Sequence, residues 1–448
     1  MTVLLLLGLA LDASARTQEG EENAPTPSQE EEQKQEQAKP EQPAQGDGAE
    51  KQYPVLTPGA FTPGRGFQLA KTEFGELNIS LYLLARYLNQ LPVDQNYVDH
   101  LGREHDINTR NDIQLHRLMM FVHGFVYSPK LRYTAIFWTT NSTAQVAIAG
   151  SIGYLFSDAF NLFVGYIGLP GTRSMQMVFP YFFATDRMMA DEFFRPGFTG
   201  GVMATGKPFP RFQYSAMVGN NLSQLGINAA KLTRSLAVSA SIAVLPTTGE
   251  FGPRGGFGDY EMHPAPATRF GASFTHSSEN RFSQPSANAP DNTQVRLTDS
   301  LLLFEQGALA PGVTVTNTLF DMLAVDAGVK WRGFHLQGEY YRRWLSSFES
   351  DGPIPFSQLV DQGFYVQLGY MVLPQYLGLY VGTSFVLGEL NDAREVLGGV
   401  NVYPFETRNF RLNGHLIHVD RSAVSSVFGY YSGGQTGTTL SLAADIFF

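Results

Sequence analysis

Apolar and polar residues alternate with period two from residue 74 to the end of the chain, in about sixteen short segments. The segments are joined by connections that alternate between tight turns and long loops, and aromatic residues gather where segments end. Together these three observations predict an all-β chain, a transmembrane antiparallel β-barrel of about 16 strands with 18 as the upper count.

The alternation is plain in Glu76-Leu77-Asn78-Ile79-Ser80-Leu81-Tyr82-Leu83 and again in Ser235-Leu236-Ala237-Val238-Ser239-Ala240-Ser241-Ile242. It returns in Asp326–Trp331 and His335–Tyr341. Successive strand residues point to opposite faces, so each segment has one apolar face and one polar or small face. Strands are expected to begin near 74, 113, 132, 146, 160, 196, 210, 234, 267, 321, 333, 361, 376, 391, 406 and 437. Short connections fall at Ser128-Pro129-Lys130, Ser157-Asp158-Ala159, Gly206-Lys207-Pro208, Arg332-Gly333, Leu373-Pro374-Gln375 and Tyr403-Pro404-Phe405. Long ones span 89–112, 169–195, 277–320, 345–360 and 420–436. Two places break the rule: 246–266 is long where a turn is due, and 387–390 is short. Leu301–Phe304 is the place for an additional strand.

A soluble sandwich would bury its apolar faces in a core, yet the polar faces here carry Asn, Ser, Gln, Glu and Arg in strand after strand. An inside-out barrel accounts for that, with apolar side chains toward lipid and polar ones toward a wet lumen. Tyr82, Tyr87, Tyr127, Tyr133, Trp138, Trp331, Tyr340, Tyr341, Trp344, Tyr370 and Tyr376 are expected in girdles at the two interfaces.

Composition removes other classes. The 448 residues include no cysteine, which excludes a disulfide scaffold, a thiolate metal site and a cysteine nucleophile. A net charge of −10 argues against nucleic-acid binding. No apolar run reaches the length of a membrane-spanning helix. Residues 1–15 read as a signal peptide: Val3–Leu11 is apolar, and Ala13-Ser14-Ala15 is a small-residue cleavage pattern. Residues 16–58, with ten acids against four bases, read as a disordered acidic Glu/Gln/Pro linker. The barrel then occupies 59–448.

Catalytic and cofactor patterns are poor, and no enzyme, metal or cofactor is expected. Gly201–Lys207 imitates a phosphate loop, but Pro208 stands where Ser or Thr is needed, and the stretch runs along a strand. His415 and His418 lie on opposite faces of one strand. Ser80, His123, His335 and His415 carry no local hydrolase signature.

The final residues Leu440, Leu442, Ala444, Ile446 and Phe448 form one apolar face ending on phenylalanine. This resembles the terminal signal of bacterial outer-membrane proteins, which implies outer-membrane lipid as surroundings and the insertion machinery as a partner through Phe448. More widely, Arg117–Gly124, Leu162–Ser174, Asp186–Gly201, Phe212–Asn221, Phe334–Trp344, Gln362–Leu373, Asp392–Tyr403 and Leu440–Phe448 resemble the phosphate-selective porin O/P family. The resemblance spans roughly 74–448 and rests on no single diagnostic motif. It implies a sixteen-stranded homotrimer in the bacterial outer membrane, with a third loop folded into the lumen and basic residues attracting anions.

The third loop departs from that pattern. Residues 169–195 hold Arg173, Arg187 and Arg195 against Asp186, Asp191 and Glu192, and contain no lysine. These six are the expected pore constriction. The same loop carries Met175, Met177, Phe179, Tyr181, Phe182, Phe183, Met188, Met189, Phe193 and Phe194, either as anchors against the wall or as a greasy constriction for amphipathic solutes. By strand alternation, Arg117, Arg211, Arg269, Lys330 and Arg343 face inward, opposed by Glu76, Asp326, Glu339, Glu395 and Asp445. Rings of charge of either sign would set ion preference. The structural alternative for each is a cross-strand ion pair, Glu339 with Arg343 above all. The expected function is a porin, a passive diffusion channel for small hydrophilic solutes, with anions or phosphate implied by the resemblance. The alternative is a non-conducting structural or adhesion barrel.

Overall fold

The computed structural model describes residues 61–448 except 63–64, 141–144, 226, 228, 287–288, 290–292 and 427–428. The expected signal peptide and the acidic linker up to residue 58 lie outside the described residues.

Sixteen strands follow one another in chain order: β1 (Gly75–Pro92), β2 (Asn111–Val126), β3 (Ser128–Thr140), β4 (Gln145–Leu155), β5 (Asn161–Gly168), β6 (Phe198–Gly206), β7 (Phe212–Gly219) and β8 (Ala237–Val244) form the first half. The second half is β9 (Ala267–Asn280), β10 (Val315–Trp331), β11 (Phe334–Ser350), β12 (Gln358–Leu373), β13 (Leu377–Leu387), β14 (Asp392–Val402), β15 (Phe410–Asp420) and β16 (Gly437–Phe447). Each pairs antiparallel with the next, and β16 pairs with β1 from Gly437↔Pro92 to Phe447↔Tyr82, closing the barrel. The observed starts agree with the alternation; the largest offset is β10, which begins at Val315 instead of 321. Closure leaves no unpaired sheet edge in the membrane.

Outside the sixteen, Phe61–Thr62 and Gly66–Lys71 add short strands beside the foot of β1, and 96–98 pairs with 104–106 in the loop after β1. Leu301–Phe304 forms no strand; one isolated bridge joins Arg296 and Leu302. The turn at Arg332-Gly333 has positive φ at both residues (48° and 85°), the two-residue hairpin geometry that suits the twist of β10 and β11.

The two faces separate as period two requires. Outward positions on β4–β6 hold Ile148, Ile152, Val164 and Val202, all exposed, while the inward positions hold Ala147, Ala149 and Ser151 on β4 and Phe163 and Met203 on β5 and β6. Exposed Tyr127, Phe156, Phe209, Trp331, Tyr370 and Phe405 ring the turn end, and the amphipathic Tyr and Trp among them suit a membrane–water interface. Tyr82, Trp138 and Tyr341, expected in the girdles, instead point into the lumen. Tyr82 packs against Phe179, and Tyr341 stacks on Phe194. Their strand positions share parity with the inward polar residues, and inward residues near a packed loop are free to be aromatic.

Candidate functional site: the loop-filled lumen

The third loop, 169–197, leaves β5 and folds into the barrel before returning to β6. It carries a short helix, α1 (Met189–Phe194), beside β12 and β13. Almost all of its apolar side chains are buried, Phe182, Phe183, Met188, Met189, Phe193 and Phe194 among them. Phe194 stacks on Tyr341 of β11, and Phe183 stacks on Tyr380 of β13. A side-chain carbon on Gly363 or Gly369 would collide with Phe194 or Phe183, so the wall is shaped to admit these rings. Backbone groups add to the seat: Asn401 Nδ2 donates to Phe183 O (2.9 Å), and Arg411 Nη1 donates to Phe182 O (2.6 Å). The apolar residues therefore anchor the loop against the β11–β15 wall. The exposed exception is Met177.

The charged set expected at the constriction is inside the lumen, but bound into pairs. Arg117 of β2 donates to Asp186 at 2.8 Å. Arg187 lies 3.9 Å from Asp186 and 3.8 Å from Asp191, and Arg195 holds Glu192 at 2.7 Å. Asp191 also accepts from Ser174 Oγ at 2.9 Å. Arg173 pairs with none of the loop's acids; it lies 3.8 Å from Asp326 of β10 and donates to Gly255 O.

Wall residues show the same pattern. Arg269 holds Asp326 at 2.9 Å, and Lys330 Nζ donates to Phe251 O at 3.0 Å. Arg343 does not pair with Glu339. Its cross-strand partner is Asp361 at 2.7 Å, because the β11–β12 register places those two opposite each other. Glu339 accepts from the Arg173 N–H (2.8 Å) and the Tyr341 hydroxyl (2.7 Å). Glu395 accepts from Met189 N–H, Ser384 and Tyr431, and Arg411 holds Asp445 at 2.8 Å. Burial of such groups is tolerated because each finds a partner. Arg211 lies off the strand faces: it is the turn residue before β7, with φ of 66°, exposed, and donates to Pro246 O at 2.6 Å. Glu76 stays partly exposed and takes a 2.7 Å hydrogen bond from Asn78.

A second segment, which strand alternation does not predict, enters the barrel. Residues 245–266, at the turn end, bury Phe251, Phe257, Asp259, Tyr260 and His263. Gly258 N–H donates to His335 Nδ1 (2.6 Å), and Gly333 N–H donates to Asp259 (2.7 Å). Arg408 reaches Glu261 at 2.8 Å. The segment meets the third loop through Phe257 N–H to Tyr181 O and Arg254 to Phe179 O, both 2.7 Å. Its signal in the sequence was the one excess of length where a turn was due. Asp259, Glu261 and His263 bring ligand-type atoms within 4.8 Å of one another, but Asp259 is already bound to His263 and Glu261 to Arg408. His263 is pushed down by burial and up by Asp259 and Glu250; the acids prevail, and its pKa is raised.

Two further loops fold over the opposite mouth. Gly429 O and Tyr430 O accept from Arg86 and Gln90 of β1, and Thr185 N–H donates to the Tyr430 hydroxyl. Thr293 accepts from Arg195, and Arg296 O accepts from Arg343. In the first long loop Asp99 accepts from Leu101, Arg103 and His105. Burial opposes its charge, yet these donors bring its pKa down to about 2.

No family model matches the chain, and no curated protein matches it in sequence. Solved structures do match. An outer membrane protein of Vibrio cholerae, OmpT, is 13% identical, with 85% of this chain and 99% of that chain covered at a TM-score of 0.51. Salmonella typhi OmpF, in complex with daunomycin, is 11% identical over 85% of this chain and all (100%) of that chain, at 0.50. An anion-selective porin from Comamonas acidovorans is 11% identical over 84% of this chain and 100% of that one, at 0.48. At these identities the likeness is one of fold: the chain is a closed 16-stranded transmembrane β-barrel of the kind found in the bacterial outer membrane.

Proposed function

We propose that this chain is an outer-membrane porin, a passive channel for small hydrophilic solutes, narrowed by the third loop and by the inward segment 245–266. The observation that carries the reading is a closed barrel with its third loop seated inside it and with the charged pairs Arg269–Asp326, Arg343–Asp361 and Arg411–Asp445 on its inward faces. Diffusion needs only a wet route past that loop. The basic residues do not favour strict phosphate selection, since Arg117, Arg269, Arg343 and Arg411 are each held by a carboxylate. Fixed pairs of both signs give a transverse field with weak ion preference. The homotrimer implied by the family resemblance is part of this proposal, as are insertion through the C-terminal Phe448, the signal peptide and the acidic spacer. Chemical cross-linking in native membranes tests the trimer.

A non-conducting structural barrel is the second reading, favoured by the extent to which the loops bury lumen charges: Arg343 is 1% exposed and Glu395 0%. Planar-bilayer recording separates the two. A porin gives stepwise current in KCl, with a reversal potential that reports ion preference and with phosphate added to test for block. A structural barrel gives none.

A further inference from the structure

The inward faces of the barrel are unequal. On β9–β16 they are covered by the loops, and Gln337 and Ser384 are fully buried. On β3–β6 the inward side chains remain partly exposed: Thr134, Ile136, Trp138, Ser151, Phe163 and Met203. Register fixes their direction, since Thr134 is opposite Ser151 and Met203 is opposite Phe163, one position from the outward Ile152 and Val202. Their exposure is therefore toward the lumen.

Charge follows the same division. The ion pairs Arg269–Asp326, Arg343–Asp361 and Arg411–Asp445 all belong to the covered wall. On β3–β8, among the described residues, ionisable side chains at inward positions are confined to the turn-end rim, at Lys130 and Arg132. In the third loop Met177 is 66% exposed, unlike the buried apolar residues around it. Its neighbours are tied to either side: Gln176 accepts from Arg269 of β9 (2.6 Å), and the Phe179 ring lies 4.8 Å from that of Tyr82 on β1.

We propose that solute passes through the crescent between the third loop and the β3–β7 wall, and that its lining selects uncharged, hydroxylated solutes with one aromatic or apolar face. The inference rests on the porin reading above. Trp138, Phe163, Met177 and Met203 offer ring and thioether contacts to such a face. Thr134 and Ser151 offer hydroxyls that exchange hydrogen bonds with the solute's own. An ion in the same crescent sheds part of its hydration and meets no charged side chain from the β3–β6 wall short of the rim; the Arg117 guanidinium near the Trp138 ring (5.9 Å) is already held by Asp186.

Proteoliposomes holding the full chain test this by swelling in phenyl glucoside and in phenyl glucuronide, which differ by one carboxylate. The glucoside is expected to enter about tenfold faster, the order set by one unfavourable charge placement in a narrow pore. Ser151→Trp is expected to slow the glucoside by a similar factor, whereas the lipid-facing Val202→Trp leaves it unchanged. Because the chain has no cysteine, Ser151→Cys can be blocked after folding with a small sulfonate thiol reagent, and the same loss is expected. Undiminished glucoside entry in both Ser151 variants would overturn the route. Equal or faster glucuronide entry would overturn the selectivity. A folded barrel that admits neither solute would instead remove the porin reading beneath both.

Discussion

Arg117 on β2 and Asp186 in the third loop meet at 2.8 Å inside the lumen, both almost fully buried. The contact ties the loop to the β2 side of the barrel, opposite the wall where Phe183 and Phe194 are seated. A loop held on both sides has a fixed place inside the barrel, and its ties define what should change when they are cut.

Asp186→Asn leaves the Arg117 guanidinium buried without its carboxylate, a change that costs about 3–5 kcal/mol in comparable buried pairs. The loop is expected to loosen on the β2 side, giving noisier and larger single-channel steps. Unchanged step size and noise would show that this tie does not set the constriction.

Arg411 and Asp445 pair in two-pronged fashion, at 3.0 and 2.8 Å, across β15 and β16, the last hairpin before closure. Arg411→Ala is expected to destabilise the barrel by about 3–5 kcal/mol. Denaturant unfolding followed by tryptophan fluorescence measures this. Asp445→Asn is expected to cost a similar amount, because it leaves the buried Arg411 guanidinium without its carboxylate.

Phe183 and Phe194 need the space above Gly369 and Gly363. Gly369→Leu is expected to lift the loop off β12 and expose its apolar residues to protease, with the barrel itself intact. Limited proteolysis and mass mapping of fragments ending in 175–195 provide the readout.

The inward turn-end segment is expected to respond to pH. The His263 pKa is raised by Asp259 and Glu250, so its ion pairs contribute fully below the ordinary histidine value of about 6.5 and fade as pH rises through the raised folded value. The protection factors of the amides at 246–266, corrected for the intrinsic base-catalysed exchange rate, should therefore fall at pH 9 relative to pH 6. Asp99 has the opposite sign: its pKa is lowered to about 2, so its contribution is present above the ordinary carboxylate range and is lost as pH falls toward 2. His263→Gln should abolish the first change and leave the second.

Much of this architecture is legible in the sequence because period two fixes the face of every strand residue. Ile148 and Val202 had to point outward if Ser151 and Met203 pointed inward. Alternation gives direction but not depth or partner. Arg343 and Glu339 share a face of β11, yet register hands Arg343 to Asp361 and leaves Glu339 to the third loop. Tyr82 and Tyr341 are inward by parity, but only the packed loop explains why a lumen position is aromatic. Arg211 fell one residue short of its strand and became a turn residue. The segment 245–266 was visible as surplus length, while its entry into the barrel depends on contacts such as Gly258 to His335 that no local pattern encodes.

The central claim is that a wet route passes the third loop. Single-channel recording of the purified, folded protein in a planar bilayer tests it most directly. Small, discrete conductance steps in KCl with only weak ion preference are expected, and enlarged steps for Asp186→Asn. A bilayer that stays silent with correctly inserted protein, for both wild type and variant, would contradict it.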